Sequence, residues 1–348
     1  MNILKNFKNK NQKAYIIAEA GVNHNGSTKL AKKLIDKAKE CGADCIKFQL
    51  FKSENLVQKS TPLAGYQRRN ISKKITQNDM LKKLELNQKN LLVLFRYTKK
   101  KKIDFLCTPY SFQDLKFLDK INVNAIKLSS MHSSEYFFIS EALKLNKPVL
   151  LPTGMCNQKD IIKIKKVLKK SRNKNVCIMQ CTTNYPTSLS EANINVLLNY
   201  KKIFKNYVIG FSDHTKGYIA ACASIARGAK IIEKHFTLSN KLKGPDHIAS
   251  LNPDDFKLFV KNIRETELVL GTQKKNKTKN EKINEKIVKR SLVSIRNIKK
   301  GEKITNKNIS FKRPLNGIPA SEFDKFLGKI AKKNIKMNSL IKKIDIKF

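Results

Sequence analysis

Eight short runs of β-forming residues, separated by stretches with helical spacing, constrain this chain more than any other feature of its sequence. They are YIIAEA (15–20), CIKFQL (45–50), DFLCTP (104–109), AIKLSS (125–130), PVLLPTG (148–154), VCIMQCT (176–182), YVIGFSD (207–213) and KIIEKHF (230–236). Between them lie amphipathic or lysine-faced stretches such as STKLAKKLIDKAKECGA and TKGYIAACASIARGA. Apolar residues there recur at three and four, the period of a helix with one buried face. Eight alternations of strand and helix are what a (β/α)8 TIM barrel requires, over a suitable length. A doubly wound open sheet is the alternative. That fold would carry a GxGxxG turn after its first strand if it bound a dinucleotide, and no such turn occurs.

Two segments break the alternation. Residues 51–85 form a connection too long for a simple βα loop, polar, with Tyr66-Gln67-Arg68-Arg69 near its centre. On a barrel, an insertion after the second strand lies over the catalytic face, and long connections in compact domains tend to be functional or disordered. After residue 271 the texture changes: GTQKKNKTKNEKINEKIVKR is charged and almost free of large apolar residues, which reads as a linker or extended arm. The sequence thus divides into a barrel over 1–271, a linker over 272–289 and a small domain over 290–348. The last has β-like runs, turns at KKGEK and PLNG, and one helix around 320–327.

The formal charge is +45, which first suggests a nucleic-acid or acidic-membrane partner. The basic residues, however, comprise 63 lysines and nine arginines scattered over nearly every segment. Nucleic-acid readers concentrate arginine on one face and interleave aromatics. The even spread of lysine argues against such a partner. Seven cysteines without CxxC spacing argue for a reducing compartment and against a disulfide framework or zinc ribbon. The N-terminal MNILKNFKNKNQK has no apolar region behind its charges, so it does not read as a signal peptide. No apolar run approaches the ~18 residues of a membrane span. A cytoplasmic location without membrane attachment is expected.

In a barrel enzyme the chemistry belongs at the C-terminal ends of the strands. Those ends carry Glu19, Lys47 and Gln49, Thr108, Lys127 with Ser130, Thr182 with Thr183, Ser212-Asp213-His214, and Glu233 with His235. A lysine inside a barrel strand is costly unless an anion pairs with it. Lys47 and Lys127, in different strands and near hydroxyls, therefore suggest a phosphate- or carboxylate-bearing substrate. His214 and His235 end the seventh and eighth strands, and adjacent parallel strands lie about 4.8 Å apart. The two imidazoles are then close enough to share one divalent ion such as Mn2+ or Zn2+, with other positions open to water or substrate oxygens. Glu19, across the closure beside strand eight, could act on a proton as acid or base.

The motifs IIAEAGVNHNG (16–26), IKFQ (46–49), AGYQRRN (64–70), FLCTPYS (105–111), CTTNYPT (181–187), GFSDHT (210–215), EKHFT (233–237) and GPDHIASLNPDDF (244–256) together resemble the sialic acid synthase family over nearly the whole chain. The C-terminal stretch, with KRPLNGI at 312–318, is similar to the antifreeze-like (β-clip, SAF) domain that ends these synthases. The resemblance implies condensation of phosphoenolpyruvate with an N-acetylated mannose-type sugar, releasing phosphate, in cell-surface polysaccharide biosynthesis. It implies Mn2+ on His214 and His235, and Glu19 handling a proton. Lys47, Gln49, Thr108, Lys127, Ser130, Thr183 and Ser212 would hold phosphoenolpyruvate. Tyr66, Gln67, Asn70, Tyr185 and Asp246 would meet the sugar, as would Arg313 from the small domain of a partner chain in a domain-swapped homodimer. The GPDHIASL run favours a sialic or legionaminic product over a pseudaminic one, and CTTNYP and AGYQRRN lean towards legionaminic. The chain departs from the family where Met131 and His132 replace a Gly-Glu pair that meets the sugar, at Pro152 in place of a serine, and at Thr183 in place of an asparagine. A non-catalytic binding protein on the same scaffold is the other reading of those departures.

Overall fold

Residues 13–71 and 75–347 are described by the computed structural model, without the side chains of residues 66 and 69. The N-terminal residues 1–12 and the Tyr66 side chain, both used in the sequence reading, lie outside the described residues. The chain divides into two compact units, Met1–Gly271 and Thr272–Phe348.

Unit one is a (β/α)8 barrel. Its strands are β1 (Tyr15–Gly21), β2 (Cys45–Leu50), β3 (Asp104–Pro109), β4 (Ile126–Lys127), β5 (Val149–Pro152), β6 (Val176–Cys181), β7 (Val208–Asp213) and β8 (Ile231–His235). Pairing runs in the order β3-β2-β1-β8-β7-β6-β5-β4, every ladder parallel, and the end strands β3 and β4 lie against each other to complete the ring. Alternation along each strand sorts the side chains into two cores. Ile17, Cys45, Leu106, Ala125, Leu150, Cys177, Met179 and Ile231 fill the barrel's interior. The intervening positions, such as Ile16, Ile46, Phe105 and Ile232, join the larger core beneath the surrounding helices. Two positions further along each inward series lies the mouth, so one periodicity fixes both the core and the site.

Three segments differ from the sequence reading. Strand four spans only two residues, because beyond Leu128 the chain turns into a 3-10 helix, Ser130–Ser134, whose Met131 N–H is accepted by Ser129 Oγ at 3.4 Å. The 51–85 connection is more than a polar loop. Its helices Ser53–Leu56, Gly65–Asn70 and Gln77–Lys82 enclose an apolar cluster of Val22, Phe51, Leu63, Met80 and Leu84. The stretch read as a linker or extended arm carries a helix, Lys279–Val288, capped by Thr278, whose Oγ1 accepts the Glu281 N–H at 3.1 Å.

Unit two pairs β9 (Ser291–Ser294) with β10 (Ile309–Lys312), and β11 (Ile330–Ala331) with β12 (Ile346–Lys347), both antiparallel. It has a core of its own around Leu292, Ile304, Ile318, Phe326 and Ile341. Among the described residues no helix is long and apolar enough to cross a membrane.

Candidate active site

At the C-terminal ends of the strands lies a cavity of about 340 Å3. Ten of the sequence-selected residues line it together: Glu19, Lys47, Gln49, Thr108, Lys127, Ser130, Thr183, Ser212, His214 and His235. Inward alternation explains why. Glu19 follows Ile17 by two on β1, Lys47 follows Cys45 on β2, Thr108 follows Leu106 on β3, and Lys127 follows Ala125 at β4.

At the floor, two lysines and two carboxylates form one ion cluster. Lys47 Nζ lies 2.8 Å from Glu19 Oε1 and 3.9 Å from Glu233 Oε2, and Lys127 Nζ lies 3.0 Å from Glu233 Oε1. Lys47 also donates to Thr108 Oγ1 at 3.1 Å, Gln49 Nε2 to Glu19 Oε1 at 3.0 Å, and Ser212 Oγ to Glu233 Oε1 at 3.0 Å. All four charged groups are buried. Burial alone would lower the Lys47 pKa, but Glu19 and Glu233 hold it above its ordinary value. Burial alone would raise Glu233, yet Lys127 and Lys47 hold it down to about 2. Burial raises Glu19, with Lys47 only partly offsetting it. Glu19 Oε2 and Glu233 Oε2 have no hydrogen-bond partner among the described residues. Two ammonium groups thus stand fixed at the base of the cavity, with hydroxyls around them, in the arrangement an incoming anion would need.

On the β7–β8 side the two histidines stand together, their ring centroids 5.3 Å apart. Tyr185 packs against both, at 4.2 Å from His214 and 5.4 Å from His235. His214 Nδ1 donates to the Thr182 carbonyl at 2.7 Å, which fixes the tautomer that leaves Nε2 with its lone pair free. His235 Nδ1 is buried without a hydrogen-bond partner among the described residues, 3.9 Å from Asp246 Oδ2. Burial, with His214 nearby, pushes His235 well below its ordinary pKa, so its ring stays neutral. Two adjacent imidazoles, one with an orphaned nitrogen, fit a shared metal ion. Among the described residues no group of three or more His, Cys, Asp or Glu side chains could hold one. Two protein ligands would leave most of the coordination sphere to water and substrate oxygens, an open site of the catalytic type.

An ion pair outside the cavity holds the two histidine segments in register. Lys234 Nζ donates to Asp213 Oδ2 at 2.8 Å and to the Thr215 carbonyl. Asp213 Oδ1 accepts from Thr215 N and Thr215 Oγ1, both at 2.8 Å. Each histidine therefore has a covalent neighbour in this clamp, and Asp213 and Lys234 are register partners across the two strands. Across the other ladder, Glu19 on β1 is the register partner of His235 on β8. The loop bearing Asp246 is tied down by His247, which contacts Thr237 Oγ1 at 2.7 Å and Asn25 Oδ1 at 3.2 Å. Burial, with Glu19 nearby, pushes Asp246 up to about 6.

The residues chosen for the sugar are less uniformly placed. Gln67, Tyr185 and Asp246 line the cavity. Asn70 instead holds the insertion in place, donating to the Pro245 carbonyl at 2.6 Å. Arg313 is exposed on unit two. His132 turns away from the mouth into the core, stacked on Phe138 with centroids 4.2 Å apart, and Met131 lines the cavity in its place. Glu135 is exposed and absent from the lining. The sequence reading gives Cys181 and Tyr110 no role and places Glu233 at a strand end without assigning it one, although all three line the cavity. For Glu233 the signal was present: an acid two residues before His235 on a strand must share its face.

Residues 34–275 match the NeuB family and residues 289–347 match the SAF domain. This chain belongs to the NeuB family. It is 40% identical over 333 residues to the N,N'-diacetyllegionaminic acid synthase of Campylobacter jejuni, a match covering 95% of this chain and 99% of the relative. It is 36% identical over 318 residues to the N,N'-diacetyllegionaminic acid synthase of Legionella pneumophila, covering 90% and 89%. Among solved structures, the N-acetylneuraminic acid (sialic acid) synthetase of Leptospira borgpetersenii, in complex with citrate, superposes with a TM-score of 0.69 at 28% identity. That match covers 79% of this chain and 90% of the other. The NeuB-family match spans most of the barrel and the SAF match most of unit two, so both units have counterparts in known proteins.

Proposed function

We propose that this NeuB-family chain is a nonulosonic acid synthase. It joins phosphoenolpyruvate to the aldehyde of an N-acetylated mannose-type sugar and releases inorganic phosphate. The observation that carries this reading is the buried Lys47–Glu19–Lys127–Glu233 cluster together with a pair of adjacent histidines in one cavity. Within the sugar class, the relatives at 40% and 36% identity, both named N,N'-diacetyllegionaminic acid synthase, favour a 2,4-diacetamido-trideoxymannose acceptor over N-acetylmannosamine.

In this reading Lys47 and Lys127 neutralise the phosphate and carboxylate of phosphoenolpyruvate, helped by Gln49 and the hydroxyls of Thr108, Ser130, Thr183 and Ser212. The glycine of the TGM turn supports two of those hydroxyls, because a Cβ on Gly154 would collide with Thr183 Oγ1 and Ser130 Oγ. The third carbon of phosphoenolpyruvate attacks the sugar aldehyde, water adds at the second carbon, and phosphate departs by cleavage of the C–O bond, leaving a 2-keto acid. Glu19, whose proton affinity is raised by burial, serves the water that adds. A divalent ion held by His214 and His235, Mn2+ by family resemblance, would supply Lewis acidity towards the aldehyde. Gln67, Tyr185, Asp246 and the rest of the Gly65–Asn70 helix would bound the sugar, and Arg313 would reach it from a partner chain in a homodimer. The barrel over 1–271 would be the catalytic domain, working in the cytoplasm.

The test is incubation with Mn2+, phosphoenolpyruvate and each candidate sugar, following phosphate and 2-keto acid together. The diacetamido sugar should turn over fastest. Binding of phosphoenolpyruvate and metal without product from any N-acetylated mannose-type sugar would leave only a binding protein. Chelation followed by addition of Mn2+, Zn2+ or Mg2+ in turn identifies the ion.

A further inference from the structure

A second cavity, of about 460 Å3, opens at the other end of the barrel, where β6, β7 and β8 begin. Its wall includes Lys174, Lys201, Lys205 and Lys230, with Tyr207 and Ile209 as apolar surface, and contains no aspartate or glutamate. Lysines are common everywhere in this chain, so their presence alone means little. What distinguishes this cavity is their concentration: four of its eleven lining residues are lysines, and none of the four is paired with a carboxylate among the described residues. Lys174 is held in place by the carbonyls of Leu168, Lys169 and Ser171, at 3.1, 3.1 and 2.6 Å. Lys201 Nζ occupies the space that a Cβ on Gly228 would need, so a glycine with φ +90° at this turn lets the ammonium approach the cavity wall. Burial and the neighbouring Lys230 both disfavour the charged form of Lys201. Such repulsion within a concavity is relieved by a bound anion.

We propose that this cavity binds a small oligophosphate, a molecule carrying two or more linked phosphate groups. One phosphate would leave several ammonium groups uncompensated and most of the volume empty. A chain of phosphates can spread its charge over Lys201, Lys205 and Lys230, and the wall of Tyr207 and Ile209 leaves room for an apolar or aromatic moiety attached to it. The site is distinct from the mouth, where the phosphate of the proposed substrate would lie, so its failure would leave the synthase reading untouched.

The experiment is calorimetric titration of the full chain at fixed ionic strength, without divalent ions and with excess phosphoenolpyruvate. The probes are tripolyphosphate, a nucleoside triphosphate and inorganic phosphate. Both oligophosphates should bind one site, at least ten-fold tighter than inorganic phosphate. Tighter binding of the nucleoside triphosphate than of tripolyphosphate would assign the apolar wall to a base; equal binding would assign recognition to the phosphates. K201Q/K205Q/K230Q should weaken binding at least ten-fold more than K82Q/K89Q/K116Q, which removes equal charge elsewhere. Lysine acetylation of the unaltered chain, with and without tripolyphosphate, should show Lys201, Lys205 and Lys230 protected, whatever the folding of the variant. Absence of binding, equal weakening in both variants, displacement by phosphoenolpyruvate, or inorganic phosphate binding as well as tripolyphosphate would overturn the proposal.

Discussion

Lys47 is the residue through which the site's charges are coupled, since it alone lies within ion-pair range of both Glu19 and Glu233. Replacing it by methionine leaves Glu19 buried without an ion-pair partner among the described residues, and Glu233 with Lys127 alone. Breaking a buried pair from one side costs about 3–5 kcal/mol. Lys47→Met is therefore expected to lower the melting temperature measurably as well as abolish phosphoenolpyruvate binding, and a variant that binds normally would refute the assignment. His132 makes a different prediction. Burial holds it down to about 4, as it does His24 and His247, against an ordinary value of 6.5. The unfolded chain takes up a proton on each between pH 6.5 and about 4 while the folded chain does not. Their stabilising contribution is thus complete above 6.5 and is lost as pH falls towards 4, by up to about 1.4 kcal/mol per pH unit per histidine. His132→Phe keeps the stack on Phe138 but loses the Ser129 N–H···Nδ1 bond of 3.2 Å. It should be the less stable protein at pH 7.5 and gain on the unaltered chain as pH falls to 4.5. Parallel curves would show that His132 titrates normally.

At the scale of elements, the Asp213–Lys234 clamp makes the histidine pair a property of two strands. Neither residue lines the cavity. Lys234→Met should cost roughly 3 kcal/mol by leaving Asp213 charged and unpaired, and Asp213→Asn in the same chain should recover part of that. The single variant should also weaken Mn2+ binding by 10–100-fold, the usual effect of losing a group that positions a ligand. Titration of the metal-free protein followed by electron paramagnetic resonance reads this without turnover, and unchanged affinity would reduce the clamp to a stability element. The strands and the inward-facing residues were legible because a period of two along a buried strand fixes side-chain direction once the strand is found. Lys47, Lys127, Ser212, His214 and His235 were found that way. The end of the fourth strand was not, because AIKLSS continues a β-like pattern past Leu128, where Ser129 caps a helix instead. The resulting turn sends His132 into the core beneath the helices and Met131 to the cavity, and no spacing rule on SSMHSS distinguishes those two directions. The insertion hid its core for a similar reason: Val22, Phe51, Leu63 and Met80 are too far apart in sequence to form any period.

For the whole molecule, the question is what the second unit contributes. Each unit has a separate core, and Arg313 stands exposed on the smaller one, with no role in that core. If the proposed homodimer places Arg313 of one chain at the barrel of the other, the two contributions can be separated by mixing. Glu19→Gln disables the barrel but keeps the arginine; Arg313→Ala keeps the barrel but disables the arginine. Each variant alone should be nearly inactive. In dimers re-formed from an equal mixture, half the molecules are mixed and each of those has one complete site. Activity should then return to about a quarter of that of the unaltered protein. Recovery must also depend on subunit exchange, so mixing without dissociation should restore nothing until the dimers have exchanged. If Arg313→Ala is fully active, or if an inactive Arg313→Ala gains nothing after exchange, the partner's arginine does not complete the site.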